Sequence, residues 1–387
     1  MQKIYGFKTA DNIVAGENSI ETLKENIGVV GNKVKRALIV TQKPMQNLGF
    51  VDIITKQLDE IGIKADVNTD IIPEPTVKSI EDISGNIRKK HYDLLIGVGG
   101  GSVLDTTKIL AVLETNNNSI KEILGTDLVK YPGIPTVLIP TTAGTGSEVT
   151  PNAIVTLPEE QLKIGMVSRY LLPKLVIVDP SLTIGLPKSV TASTGMDAFI
   201  HSLESYISNK ANPISDMFAL RSIKLISSSI VEAYQNGGSI RARENMILGS
   251  LYGGMALTAA GTAAVHALAY PLGGKFKIAH GVANSMLLPH VMEFNMDCIA
   301  DRLCDVARSM GIKENLPADK TAEKVIERLR EWIEILNIPQ DLSVYGVKKE
   351  DIHGLAISAS KVTRLLDNNP KKLSVKDIEN IYSKLLR

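Results

Sequence analysis

The chain has 387 residues, of which 44% are apolar and 22% charged, and a formal net charge of +1. That length suits two domains with their own cores, and the composition is that of an ordinary globular chain. Lysines and arginines are scattered, with no basic stripe interleaved with aromatics, so charge gives no case for binding nucleic acid or a membrane surface.

Residues Met1–Lys8 carry no apolar core of signal-peptide length, and no run approaches the roughly 20 apolar residues that span a bilayer. A cytoplasmic protein is therefore expected. Strand-like and helix-like stretches then alternate. Ala37–Thr41 reads as a buried strand, Phe50–Ile61 as a helix, Lys64–Ile71 as a strand and Thr76–Lys90 as a helix. Asp93–Gly99 is a third strand, Ser102–Leu113 a helix and Thr136–Pro140 a fourth strand. Apolar strands separated by helices predict a parallel sheet covered on both faces. A pairing of Ile154–Thr156 with Leu175–Asp179 is expected to close this α/β domain.

From Ser189 onward the periodicities are helical. Small residues crowd Gly249–Gly261, as close helix packing requires, and Lys320–Leu336 and Val375–Leu386 read as amphipathic surface helices. Cys298 and Cys304, six apart in a predicted helix, face different ways, which disfavours both a disulfide and a zinc pair. The expected organisation is an α/β dinucleotide-binding domain over 1–185 and an all-helical domain over 186–387.

Two loops beyond strand ends carry the nucleotide signal. In Gly97-Val98-Gly99-Gly100-Gly101-Ser102-Val103-Leu104-Asp105, glycines let the backbone approach a pyrophosphate, and the new helix offers free N–H groups. Ser102 stands where a Rossmann fingerprint has its third glycine, and Ser102 with Asp105 also reads as a capping box. Pro140-Thr141-Thr142-Ala143-Gly144-Thr145-Gly146-Ser147-Glu148 repeats the device after the next strand. An ordinary polar turn is the plain alternative, weakened by the recurrence.

The helical half contributes Asp197-x-x-x-His201. Four helical steps leave the two side chains about 40° apart and one turn along, placed to grip one divalent ion. His266 and His280 are candidate further ligands, and imidazole with carboxylate suits Zn²⁺ or Fe²⁺. Taken singly, Asp-x-x-x-His is equally a structural Asp and a satisfied core His.

Together, Gly99-Gly100-Gly101-Ser102-x-x-Asp105, the Pro140–Thr145 run, Asp197-x-x-x-His201, His266 and His280-Gly-Val-Ala-Asn-x-x-Leu-Leu-Pro-His290 resemble the iron-containing (group III) alcohol dehydrogenases over nearly the whole chain. The resemblance implies a dehydroquinate synthase-like architecture with the active site in the cleft between the domains. It also implies a homodimer or larger assembly. By it, Asp197, His201, His266 and His280 are metal ligands, with Fe most expected and Zn the alternative. Gly99, Gly100, Gly101, Ser102 and Asp105 bind the pyrophosphate and nicotinamide side of NAD or NADP. Thr141, Thr142 and Thr145 line the same groove, and Lys163 reaches the ribose. His290 is left as structural. The activity implied is hydride transfer between the nicotinamide and a small primary alcohol or aldehyde, with the ion as Lewis acid.

Four positions depart from that pattern. Gln42 replaces an Asp that many relatives use to hold the adenosine ribose and repel a 2′-phosphate, which opens NADP or dual use. Tyr270 stands where many relatives carry a second histidine for proton relay, and a phenol is a poorer shuttle at neutral pH. Lys275 or Lys277 facing the pocket would favour an aldehyde bearing an acidic group, against the plain reading of two solvated loop lysines. Alternatives at the level of activity are a glycerol dehydrogenase-like enzyme, a metal-free maleylacetate reductase-like enzyme and a non-catalytic dinucleotide-binding protein.

Overall fold

Fully apolar strands such as Leu94–Gly99 and Leu175–Val178 must be covered on both faces, and they form the middle of a parallel sheet. The computed structural model describes residues 4–31, 33–160, 162–313 and 315–386. Its strands are β1 (Ile13–Ala15), β2 (Arg36–Val40), β3 (Lys64–Asn68), β4 (Leu94–Gly99), β5 (Gly125–Thr126), β6 (Thr136–Pro140), β7 (Asn152–Leu157), β8 (Leu162–Val167) and β9 (Leu175–Val178). Six of them form a sheet of order β1-β9-β6-β4-β2-β3, parallel throughout. The two-residue pleat sends Leu38, Val40 and Leu95 into one apolar cluster and Ala37, Ile39, Leu94, Ile96 and Val98 into another. Each cluster is completed by helices, the first by α2 (Val77–Ile87) and α3 (Gly101–Leu113), the second by α1 (Phe50–Glu60).

Several expected boundaries move, for local reasons. The strand from Lys64 stops at Asn68 rather than Ile71, because Asn68 and Asp70 bond each other through side chain and backbone in a tight turn. Thr76 becomes the N-cap of α2, closing a capping box with Ser79. Ile154–Thr156 does not pair with Leu175–Asp179. It lies in β7, which is antiparallel to β8 in a separate three-stranded sheet of order β5-β8-β7. The reason is visible in burial: β7 alternates, with Ala153, Val155 and Leu157 inside, whereas β9 is buried at every position.

The chain divides into two compact units. One comprises Lys8–Thr142 and Gly146–Ile184, the α/β part. The other comprises the N-terminal residues through Phe7, Ala143–Thr145 and everything from Gly185. The latter is built from α4 (Lys188–Ile207), α5 (Pro213–Ser227), α6 (Ile240–Ala260), α7 (Ala264–Phe276), α8 (His280–Ser309), α9 (Ala318–Ile335), α10 (Asp351–Ser360) and α11 (Val375–Ser383), with shorter turns between. The small residues of α6 let α4 and α5 approach closely. A methyl added at Gly253 would lie 2.8 Å from Ser202 Oγ and 3.1 Å from the Ala198 carbonyl. Gly261, at φ 73°, ends α6 in a conformation that glycine adopts freely. Among the described residues, no single helix is long and apolar enough to cross a membrane. Both cysteines of α8 are free thiols.

Candidate active site and metal centre

Asp197 and His201 occupy successive turns of α4, within a stretch buried from Gly195 to Ile207. His266 enters from the first turn of α7 and His280 from the first residue of α8. Ligand atoms of Asp197, His201 and His266 all lie within 4.8 Å of one another. The His201 and His266 rings stack at 4.7 Å, and His280 completes the group with Nε2 3.8 Å from Asp197 Oδ1. His280 is the open member: its side chain is 31% exposed, against 5% for Asp197 and 3% for His266.

Two of the three imidazoles are oriented from behind. His201 Nδ1 faces the Gly144 carbonyl at 3.3 Å, which leaves Nε2 for the centre. His266 Nδ1 is 2.5 Å from Glu204 Oε2, while Glu204 Oε1 accepts the Val265 N–H at 2.6 Å. One fully buried carboxylate thus caps α7 and fixes a histidine on it. Asn284, one turn beyond His280, donates through Nδ2 to Asp197 Oδ1 at 2.7 Å and lies 3.2 Å from His280 Nε2. His266 Nε2 is buried without a hydrogen-bond partner. An orphaned ring nitrogen beside a carboxylate and two more imidazoles fits a divalent cation, and the donor set suits Fe²⁺ or Zn²⁺. The electrostatics agree. Burial opposes charge on Asp197, yet His201, His280 and His266 hold its carboxyl well below the usual carboxylate range. Burial lowers His201, with Asp197 only partly offsetting it. At His266 burial also acts downward, but Glu204 and Asp197 outweigh it and raise the ring to about 9.

In the α/β unit, the glycine and threonine runs leave adjacent strands. Gly99 pairs in register with Pro140, and the Thr141 N–H donates to the Gly99 carbonyl at 3.1 Å. Gly100 is where the two runs face each other: a methyl there would sit 3.3 Å from Thr142 Oγ1. At Gly99 a methyl would strike Val103 at 2.6 Å, so the turn into α3 needs glycine. Gln42 follows β2, the other neighbour of β4, caps a short helix over Lys43–Asn47 and donates to the Ile71 carbonyl at 3.1 Å. Ser102 Oγ accepts the Glu74 N–H at 3.2 Å, and Glu74 in turn accepts Lys163 Nζ at 2.6 Å, which ties Lys163 to the start of α3. Gln42, the glycine run, Thr141, Thr142 and Lys163 therefore gather at or near the carboxyl ends of β2, β4 and β6. Thr145 belongs to the other unit.

Two expectations need correction here. Asp105 accepts Ser147 Oγ at 2.5 Å and the Ile154 N–H at 2.9 Å. It forms no capping box with Ser102, because α3 begins at Gly101 with Gly100 as N-cap. Lys275 bonds Asp351 at 2.6 Å on the surface and lies over the Phe276 ring, while Lys277 is an exposed helix C-cap at φ 56°. Neither lysine supports recognition of an acidic aldehyde. Tyr270 is buried with its ring 6.1 Å from that of His280, and His290, ten residues along α8, pairs with Glu293 at 3.7 Å. Sequence reasoning missed Glu204, Asn284 and the Gly144 carbonyl.

Imidazole and carboxylate donors converging in a helical unit, in one chain with a nucleotide-type parallel sheet, are the marks of a metal-dependent dinucleotide oxidoreductase. The description "Iron-containing alcohol dehydrogenase" matches residues 10–180, and its C-terminal counterpart matches 191–386. The chain belongs to the iron-containing alcohol dehydrogenase family. It is 40% identical to the long-chain-alcohol dehydrogenase 1 of Geobacillus thermodenitrificans over 90% of this chain and 89% of that one. Identity to the 1,3-propanediol dehydrogenase of Citrobacter freundii is 36%, over 95% of each. A crystal structure of 1,3-propanediol oxidoreductase superposes with a TM-score of 0.95 at 34% identity, covering 99% of this chain and all of the other. The protein is thus an alcohol/aldehyde oxidoreductase of the family that uses NAD(P) and iron.

Proposed function

We propose that Asp197, His201, His266 and His280 hold the catalytic ion, and that the glycine and threonine runs of the α/β unit cradle the NAD(P) pyrophosphate. The buried, partnerless Nε2 of His266 amid that donor set carries the reading. When bound, a divalent ion there supplies Lewis acidity toward the oxygen of the substrate. The chain's own residues do the rest. Glu204 and the Gly144 carbonyl keep two imidazoles facing inward, and Asn284 orients Asp197 through Oδ1. Tyr270, in the place of a second histidine, lines the His280 side and offers a hydroxyl rather than an imidazole to departing protons.

The substrate is a small primary alcohol or its aldehyde. Support comes from relatives named 1,3-propanediol dehydrogenase and lactaldehyde reductase, and from Lys275 being held on the surface by Asp351. Gln42 places a neutral amide beyond β2, where it bridges to Asp70, and both NADH and NADPH are accepted. A cytoplasmic homodimer or larger homo-oligomer completes the reading. The test follows nicotinamide absorbance during aldehyde reduction by chelator-stripped protein, restored with Fe²⁺ or Zn²⁺ and given either dinucleotide. Turnover that returns only with metal is expected. Dinucleotide binding with no turnover under any metal would discard the metal-centred reading.

A further inference from the structure

Lys108 stands on α3 with none of its side chain exposed, and no step proposed above uses it. Its Nζ donates to the carbonyls of Ser147 at 2.9 Å, Thr150 at 3.3 Å and Asn152, and lies 3.3 Å from Asp105 Oδ1. Three carbonyls of one short segment aimed at one point repel each other unless a cation sits between them, as they do around a bound metal ion. Here the cation is tethered to the helix that opens from the glycine run. Asp105, one turn earlier, grips the same segment through Ser147 Oγ and the Ile154 N–H. Burial pushes the ammonium down and Asp105 pulls it back up. A buried lysine so fully surrounded is an expensive structure to keep unless it holds something in place.

We infer that Lys108 is a positioning residue for the dinucleotide: an internal cation that clamps the 147–154 segment, just beyond the threonine run, to the helix of the glycine run. With Asp105 it sets the spacing of the two phosphate-facing arms before the cofactor arrives. Lys108 acts from behind, through the segment it holds. The inference rests on the cofactor reading proposed above.

The experiment compares Lys108→Met, which keeps most of the apolar stem and removes the charge, with Gly100→Leu, which fills the space facing Thr142. NADH affinity is read by fluorescence, alongside bound metal per chain, melting temperature and steady-state kinetics. For Lys108→Met the NADH Kd and the cofactor KM are expected to rise about tenfold or more, with kcat at saturating cofactor within about threefold. Metal content should stay unchanged, since the proposed ligands lie in the other unit. Recovery of affinity with added methylammonium, and not with methanol, would place the effect on the missing cation. A folded Lys108→Met with unchanged Kd overturns the inference. So does a parallel loss of NADH affinity, metal and melting temperature, which marks a general structural role. If Gly100→Leu leaves NADH binding intact, the cofactor reading itself fails. Should Lys108→Met not fold, Lys108→Gln decides: it keeps an N–H donor for the carbonyls but removes the charge, and is expected to raise Kd about two- to threefold, an unchanged value overturning the inference.

Discussion

At Glu204 one side chain does two jobs, satisfying the first turn of α7 and fixing the tautomer of His266. Glu204→Gln keeps the shape and removes the anion. Metal affinity, measured by competition with a chromogenic chelator, is expected to fall about 10- to 100-fold with little change in far-UV dichroism. Glu148 presents a different electrostatic problem. It is fully buried, with Oε1 unpartnered and Lys108 and Asp105 as its charged neighbours, and burial pushes it up to about 7. A carboxyl raised in the folded state favours folding fully below its unfolded value near 4.5, and that contribution is lost as pH rises through about 7. Glu148→Gln should therefore gain stability over the unaltered protein between pH 5 and 8, by roughly 2–3 kcal/mol at the upper end. Urea midpoints at the two pH values check it, and a constant difference would count against it. Some of this was legible in advance. Glu204 is seven residues from Asp197 and Asn284 four from His280, both helix-face spacings, and each lay on a motif already in view. The Gly144 carbonyl had no such mark, because a backbone acceptor has no residue type.

Among the elements, helix α6 shows how composition becomes geometry. Its glycines are spaced to admit neighbours, Gly249 facing Ile226 of α5 and Gly253 facing Ala198 and Ser202 of α4. Ala198 adjoins Asp197, and Ser202 adjoins His201, so the seat of α4 on α6 also sets where two proposed ligands stand. Gly253→Ala is expected to cost about 1–3 kcal/mol by overpacking and to weaken metal retention as well. A thermal melt and a metal assay on the same sample would show whether the two losses travel together. Reading elements from the sequence worked where the apolar signal was strong, as in the continuous runs of β2, β4 and β6 and the amphipathic α9. It failed at β1, β5 and β8, which are short or, in β8, interrupted by Lys163 and Gly165. The misplaced pairing of β7 with β9 came from treating two short apolar runs as alike. Alternation in one and continuity in the other already separated a half-buried strand from a doubly covered one.

The molecule as a whole carries one tryptophan, Trp332, on α9, its ring edge-on to Phe199 at 5.2 Å. Phe199 lies between Asp197 and His201 on α4, so this fluorophore reports on the unit that carries the proposed ligands. Ion binding to the folded state alone stabilises it by mass action, about 2.7 kcal/mol when free ion exceeds its Kd a hundredfold. Chelation is accordingly expected to lower the melting midpoint seen by Trp332 emission by several degrees, and readdition of Fe²⁺ to restore it. An unmoved midpoint would mean that the ion contributes nothing to folding.

The two cations of this protein differ in permanence. A ferrous ion is exchangeable, open to oxidation, competition and leaching, whereas the ammonium of Lys108 is bonded to its own chain and leaves only by mutation. Protein that has been aged in air, or expressed in iron-starved cells, should then be a dormant reserve rather than scrap. Its nucleotide half would stay formed, and a reductant with fresh metal is expected to restore turnover without refolding, which an activity assay on aged protein checks.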